Sequence, residues 1–212
     1  MIYLASQSPR RLELLRQLGV EPGVLDVCVP ELRLADESPQ GYVSRVAREK
    51  AGAGLLKVMS NPDALVLGAD TEVILDDRVF GKPVDAGEAA RMLGELAGRA
   101  HAVISVVWLL NAGREMCARS TSEVRMSALS PESIALYVAT DEWRGKAGGY
   151  AIQGRAAGFI EHLSGSYSGV MGLPLFETVQ LLHAFGVKQG LEFGGLGLGA
   201  AAEPQPQPRG SR

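Results

Sequence analysis

Cysteine is nearly absent from this 212-residue chain: Cys28 and Cys117 are the only two, and no C-x-x-C pair occurs. A disulfide framework and a cysteine zinc site are therefore excluded. Histidine is almost as scarce. His101, His162 and His183 stand far apart and form no H-E-x-x-H pattern, so a histidine zinc site is not expected. No long apolar run is present. The most apolar stretch, Ala102 to Leu110, falls far short of the roughly 20 residues that span a bilayer. The first residues, Met1 to Arg11, lack a basic segment followed by an apolar one, so a secretory signal is not expected and a reducing cytoplasmic setting is. Neither charge dominates: the net charge is −3 and the pI about 5.7, which argues against a broad basic face for nucleic acid. Three chemical signatures are missing as well. There is no G-x-x-x-x-G-K-S/T phosphate loop, no G-x-S-x-G elbow, and no internal repeat.

What is present is ordinary globular composition, 46% apolar and 21% charged, with a normal core within reach. Arginine supplies 16 of the 21 basic residues, each a forked ligand suited to phosphate. Hydrophobic patterning and turn residues place strands at Ile2–Ala5, Ala64–Ala69, Val73–Leu75, Val79–Phe80, Ala102–Leu110, Glu115–Met126, Ala151–Ile152 and Phe159–Leu163. Helices are expected from Ser8–Pro9 to Gly19, from Pro39 to Met59, from the Asp85/Glu88 capping box to Leu96, from Ser130–Pro131 to Ala139, and from Pro174 to Phe185. Strands and helices alternate but hairpins interrupt them, which predicts an α/β fold on a mixed sheet. Residues 1–189 are expected to form one domain. From Gly190 the chain turns Gly- and Pro-rich and is expected to be disordered. Residues 195–200 match G-x-G-x-x-A formally, but no strand precedes them and no helix follows.

Four stretches carry candidate chemistry. Ser6-Gln7-Ser8-Pro9-Arg10-Arg11 sits where a strand becomes a helix, and free N–H groups there with two arginines suit an anion. It also reads as a capped helix with solvated arginines. Gly68-Ala69-Asp70-Thr71-Glu72 ends an apolar strand. Asp70 there can hold a cation or take a proton from water, or it can cap a turn. Lys82 in Gly81-Lys82-Pro83, and Lys50 on the second helix, can each place an ammonium on a phosphate or face solvent. In Lys146–Gly154, small residues let backbone approach a ligand and the Gln153 amide can read a base edge, or the loop simply enters a strand.

In this order the segments resemble the Maf family of nucleoside triphosphate pyrophosphatases: LASQSPRRLELL at 4–15, LGADTEVILDDRVFGKP at 67–83, GRAHAVISVV at 98–107, KAGGYAIQG at 146–154 and GSYSGVMGLPL at 165–175. The resemblance implies an inosine triphosphatase-like α/β fold of two lobes around a central cleft. It implies hydrolysis of nucleoside triphosphates to monophosphate and pyrophosphate with a divalent cation, Mg²⁺ or Mn²⁺, in a cytoplasmic enzyme that is often a homodimer and is linked to septum formation. It assigns Asp70 as proton acceptor and metal ligand, Glu31 as a second metal ligand, and Lys82 as catalytic. Ser6, Arg10, Arg11 and Lys50 fall on phosphate-binding positions, and Arg10, Thr71 and Gln153 on base-selecting ones. Thr71 after Asp70, with the G-S-Y-S-x-V-x-G-L-P-L ending, resembles the branch acting on dTTP and UTP. Val29-Pro30-Glu31 keeps only the Glu of the family's Asp-Glu pair, and Ser105 stands where Thr is common. The alternative is a nucleotide-binding regulatory module that affects cell division with little turnover. No nucleic-acid or membrane partner is expected.

Overall fold

The structure is a computed structural model and describes residues 1–187. The expected domain end at 189, the disordered tail and the G-x-G-x-x-A match lie outside the described residues. Seven strands form one mixed sheet: β1 (Ile2–Leu4), β2 (Gly23–Val24), β3 (Leu65–Leu75), β4 (Arg78–Phe80), β5 (Ala100–Leu110), β6 (Glu115–Met126) and β7 (Ile160–Ser164). Their order is β2-β1-β3-β5-β6-β7, with β4 paired to β3. β1 runs parallel to β2 and β3, whereas β3, β5, β6 and β7 follow one another antiparallel. Among the described residues, no helix is long and apolar enough to cross a membrane.

Helices α1 (Pro9–Gln17), α2 (Pro39–Lys57), α3 (Ala86–Leu96), α4 (Pro131–Val138), α5 (Tyr167–Met171) and α6 (Leu175–Ala184) cover the sheet. Their ends follow the expected chemistry. Ser38 and Asp85 cap α2 and α3 through their side chains, and Glu88 Oε2 reaches back to the Val84 N–H at 2.8 Å. Ser8 occupies the first cap position, but its side chain caps nothing.

One sheet face, carrying Ile74, Ile104 and Val106, packs against Tyr42, Val43, Val46 and Ala47 of α2. The opposite face holds two separate apolar clusters. One gathers Leu4, Leu14, Leu15, Leu67, Leu109 and Leu182 beneath α1 and α6. The other gathers Val73, Leu93, Leu96, Val103, Met126 and Trp143 beneath α3 and α4. Thr71 and Ser105, cross-strand partners, lie between these clusters on the same face. The two lobes and the cleft between them thus arise from one sheet face that carries two separate cores.

Three expectations need correction. The separate strands Ala64–Ala69 and Val73–Leu75 are one strand, β3, so Asp70 stands mid-strand rather than at a strand end. The polar run Asp70-Thr71-Glu72 interrupts the apolar pattern without interrupting the backbone. Residues Ala151–Ile152 form no strand: the Ala151 N–H donates to Tyr137 Oη at 3.0 Å and its carbonyl accepts from Gly154 at 3.0 Å, so both groups are used locally. Short elements β2 and α5 were not anticipated from the sequence.

Candidate active site

The pairing of β3 creates an opening. One edge is bonded to β5 from Val66 to Ile74. The other edge pairs with β1 only as far as Leu67 and with β4 only from Val73. Residues 68–72 therefore lie between two strand partners, and a cavity of about 670 Å³ reaches both sides of β3 there. That is ample for a nucleotide-sized ligand.

Gly68 sets the approach of α2. A Cβ at Gly68 would lie 2.5 Å from the Ala47 carbonyl oxygen and from the Ala51 nitrogen. Only a residue without a side chain lets α2 lie this close, and the closeness puts Lys50 over Asp70, two residues along the same face. Lys50 Nζ contacts Asp70 Oδ1 at 2.7 Å and Glu31 Oε1 at 2.6 Å. Lys82 Nζ holds the other Glu31 oxygen at 2.6 Å. A chain of alternating charge results: Asp70, Lys50, Glu31, Lys82. Lys50 and Asp70 are buried. Burial opposes ionisation of Glu31, but the two ammonium groups outweigh it and hold its carboxyl down at about 2.

Arg10 and Arg11, on the first turn of α1, cross to the far side of the cleft. Arg11 Nε donates to the Gly172 carbonyl at 2.8 Å and Nη1 to Ser6 Oγ at 3.2 Å. Arg10 donates to the carbonyls of Met171 and Gly145, each at 3.3 Å. Burial lowers the pKa of both guanidinium groups; the mutual repulsion adds to it at Arg10, while Asp70 and Glu31 counteract it at Arg11. Both remain cations at any working pH. Ser6, Arg10, Arg11, Lys50, Asp70 and Lys82 all line the cavity.

The rest of the wall is different. Val73, Val103, Tyr150, Ile152 and Val170 give it an apolar side, with Thr71 and the exposed Gln153 among them. Gly148, at φ +69, brings the 146–154 loop against Val73, where a Cβ would lie 2.9 Å from Val73 Cγ2. Its N–H donates to the Gly81 carbonyl at 3.1 Å, tying this loop to the Lys82 turn. One cavity therefore joins a cationic end suited to phosphates to an apolar end suited to a flat ring.

The structure brings all nine sequence-derived residues, Ser6, Arg10, Arg11, Glu31, Lys50, Asp70, Thr71, Lys82 and Gln153, to this cavity. Glu72, to which the sequence reading gave no role, is not among the residues that line the cavity but lies next to it on β3. Glu72 lies on the same face of β3 as Asp70, two residues on, and is buried. Desolvation raises its pKa, and the nearby Asp70 charge raises it further. The i, i+2 spacing would have pointed to it had β3 been read as continuous. Asp70 Oδ2 and Glu72 Oε2 are both buried without a hydrogen-bond partner. Among the described residues, no three His, Cys, Asp or Glu side chains are grouped as for a metal ion.

A mixed α/β fold whose cleft joins a cationic cluster, a buried aspartate and an apolar wall defines a protein that handles nucleotide phosphates. The family described as Maf-like protein matches residues 1–185, and the chain belongs to it. A dTTP/UTP pyrophosphatase of Xanthomonas axonopodis pv. citri is 60% identical over 188 residues, covering 88% of this chain and 99% of that protein. A nucleoside triphosphate pyrophosphatase of Xylella fastidiosa is 54% identical over 186 residues, covering 87% and 98%. Among solved structures, the Staphylococcus aureus Ham1 protein aligns with a TM-score of 0.48 at 14% identity, covering 87% of this chain and 96% of that one.

Proposed function

We propose that this chain hydrolyses pyrimidine nucleoside triphosphates, dTTP and UTP, to the monophosphate and pyrophosphate. The observation that carries this reading is the single cleft in which a buried aspartate sits between a cationic end and an apolar end. The relatives' names give the reaction and the pyrimidine bases.

In this reading the triphosphate lies against Arg10, Arg11, Lys50 and Lys82, with the Ser6 hydroxyl beside them. These groups neutralise its charge and stabilise the charge that develops as the bond between the α and β phosphates breaks. Asp70 takes the proton of the attacking water. Lys50, bonded to Asp70 Oδ1, orients the carboxylate. The apolar wall holds the base, with Thr71 and Gln153 reading its polar edge.

The residues fit a divalent cation, Mg²⁺ or Mn²⁺. Such ions are commonly held by one or two carboxylates together with substrate phosphates. Asp70 and Glu72, through the two buried oxygens that lack partners, are the groups that would hold it. Glu31, the other sequence-derived ligand, has both oxygens on lysines and would join by releasing one. When bound, the ion supplies charge neutralisation on the phosphate oxygens and eases deprotonation of water. The substrate is a free nucleotide in the cytoplasm rather than nucleic acid.

The test is pyrophosphate release from a panel of nucleoside triphosphates, with and without chelator, for the wild type and Asp70→Asn. Positioned proton transfer is worth about 10²–10⁴-fold, so Asp70→Asn should lose about that much turnover while still binding nucleotide. Near wild-type rates in the folded variant would remove Asp70 from this role. Turnover confined to other bases would leave the enzyme and overturn the pyrimidine assignment.

A further inference from the structure

The apolar wall contains a short hydrogen-bond chain whose direction is fixed. Thr71 of β3 and Ser105 of β5 are directly opposite one another. Thr71 Oγ1 lies 2.7 Å from Ser105 Oγ, and Ser105 Oγ lies 2.6 Å from the Gly169 carbonyl oxygen. Ser105 is buried, whereas Thr71 lines the cavity. A carbonyl oxygen only accepts, and a serine hydroxyl has one proton to give. Ser105 therefore donates to Gly169 and must accept from Thr71. The Thr71 proton points into the wall, and only lone pairs of Thr71 Oγ1 remain for a ligand.

We infer that Ser105 is a positioning residue that makes Thr71 an obligate hydrogen-bond acceptor toward the bound base, and so selects uracil and thymine over cytosine. The inference rests on the proposed reaction, in which the base lies against Thr71. Uracil and thymine carry a ring N–H at position 3, a donor that an acceptor hydroxyl satisfies. With position 3 of the base set against Thr71, cytosine presents a bare ring nitrogen, and two acceptors would face one another in a wall built of Val73, Val103 and Ile152. A site that demands a hydrogen bond rejects the analogue that leaves its polar groups unpaired.

The experiment measures kcat/KM for UTP and CTP in the wild type, Ser105→Ala, Ser105→Thr and Thr71→Val. Dissociation constants for non-hydrolysable α,β-imido UTP and CTP are measured alongside. The wild type should prefer UTP. In Ser105→Ala the Thr71 hydroxyl can turn its proton into the cleft, so the UTP/CTP ratio should fall about tenfold, mainly through a gain for CTP. Ser105→Thr restores a hydroxyl in the same place and should keep the wild-type ratio. Thr71→Val should lower the ratio by losing UTP, while leaving the Ser105–Gly169 bond in place.

A wild type with no preference for UTP over CTP would overturn the inference. So would a Ser105→Ala protein in which both nucleotides weaken together at constant ratio, the mark of a merely structural serine. If the wild type releases no pyrophosphate from any nucleotide, the proposed reaction fails. The binding preferences of the imido analogues then still decide the role of Ser105.

Discussion

Replacing Lys50 with methionine would keep the length of the side chain and remove its charge from between two carboxylates. Lys50 is 7% exposed and Asp70 3%. In the variant Asp70 Oδ1 loses its 2.7 Å partner, and Oδ2 already has none. Glu72, also buried and also with an unpartnered oxygen, stands two residues away on the same face. Breaking a buried pair by removing one member strands the other and costs about 3–5 kcal/mol. For a domain of this size, 1 kcal/mol corresponds to roughly 2–4 °C, so Tm should fall by about 6–20 °C. Glu31 suffers less, because Lys82 still holds its other oxygen at 2.6 Å. The decisive comparison is a double-mutant cycle in urea. Asp70→Asn alone leaves Lys50 paired with Glu31 at 2.6 Å, so it should be the milder single variant. Lys50→Met combined with Asp70→Asn removes both charges and should be more stable than Lys50→Met alone, since a neutral replacement for a buried pair is often tolerated. A Lys50→Met protein within about 1 kcal/mol of wild type, or a double variant no more stable than Lys50→Met, would refute the reasoning.

Two further outcomes concern pH. His101 is buried, its Nε2 lies 2.8 Å from Tyr150 Oη and its Nδ1 has no partner, and burial lowers its pKa from 6.5 to about 4. A histidine depressed in the folded state contributes stability that is complete above its unfolded value and lost as pH falls through the folded one; the loss between pH 6.5 and 4 is about 3 kcal/mol. Urea midpoints across that range should fall steeply for wild type and less for His101→Gln, and parallel slopes would rule His101 out as the source. Glu31, held down at about 2 from 4.5, acts lower on the scale: its contribution is present above pH 4.5 and is lost as pH falls toward 2. Because its side chain is 32% exposed, solvent screening keeps that contribution small, and Glu31→Gln should flatten the acid limb of an unfolding titration only below pH 4.5.

Helix ends were legible because their chemistry is local. The Asp85/Glu88 capping box is present, with Asp85 Oδ1 accepting from the Glu88 N–H at 2.8 Å. The expected helix from Pro39 to Met59 is α2, Pro39–Lys57. The sheet was legible where the apolar pattern was uninterrupted, as in β5 and β6. It failed at β3, because periodicity cannot distinguish a strand that ends from a strand that turns polar over a cleft. That failure hid Glu72. Ser105 and Gly169 were equally invisible as a pair, since their contact joins residues 64 positions apart. Residues 151–152 read as a strand because both are apolar, but the Ala151 N–H bonds to the Tyr137 hydroxyl of α4 and its carbonyl to Gly154.

The mid-strand polar run also explains why the cleft lies where it does. On one face of β3, Leu67 packs in one apolar cluster and Val73 in the other, and Thr71 falls in the gap between them. An apolar residue at 71, matched by one at 105, would bring these two clusters together. On the other face, Asp70 and Glu72 stand where Ile74, Ile104 and Val106 otherwise meet α2. Burying two carboxylates there is unfavourable unless a cation answers them. Lys50 answers one oxygen of Asp70, and two carboxylate oxygens are left over. Stability alone would favour hydrophobic residues at 70 and 72. The two unpartnered oxygens are the places that a ligand would complete, and Asp70 and Glu72 face one side of the strand while Thr71 faces the other.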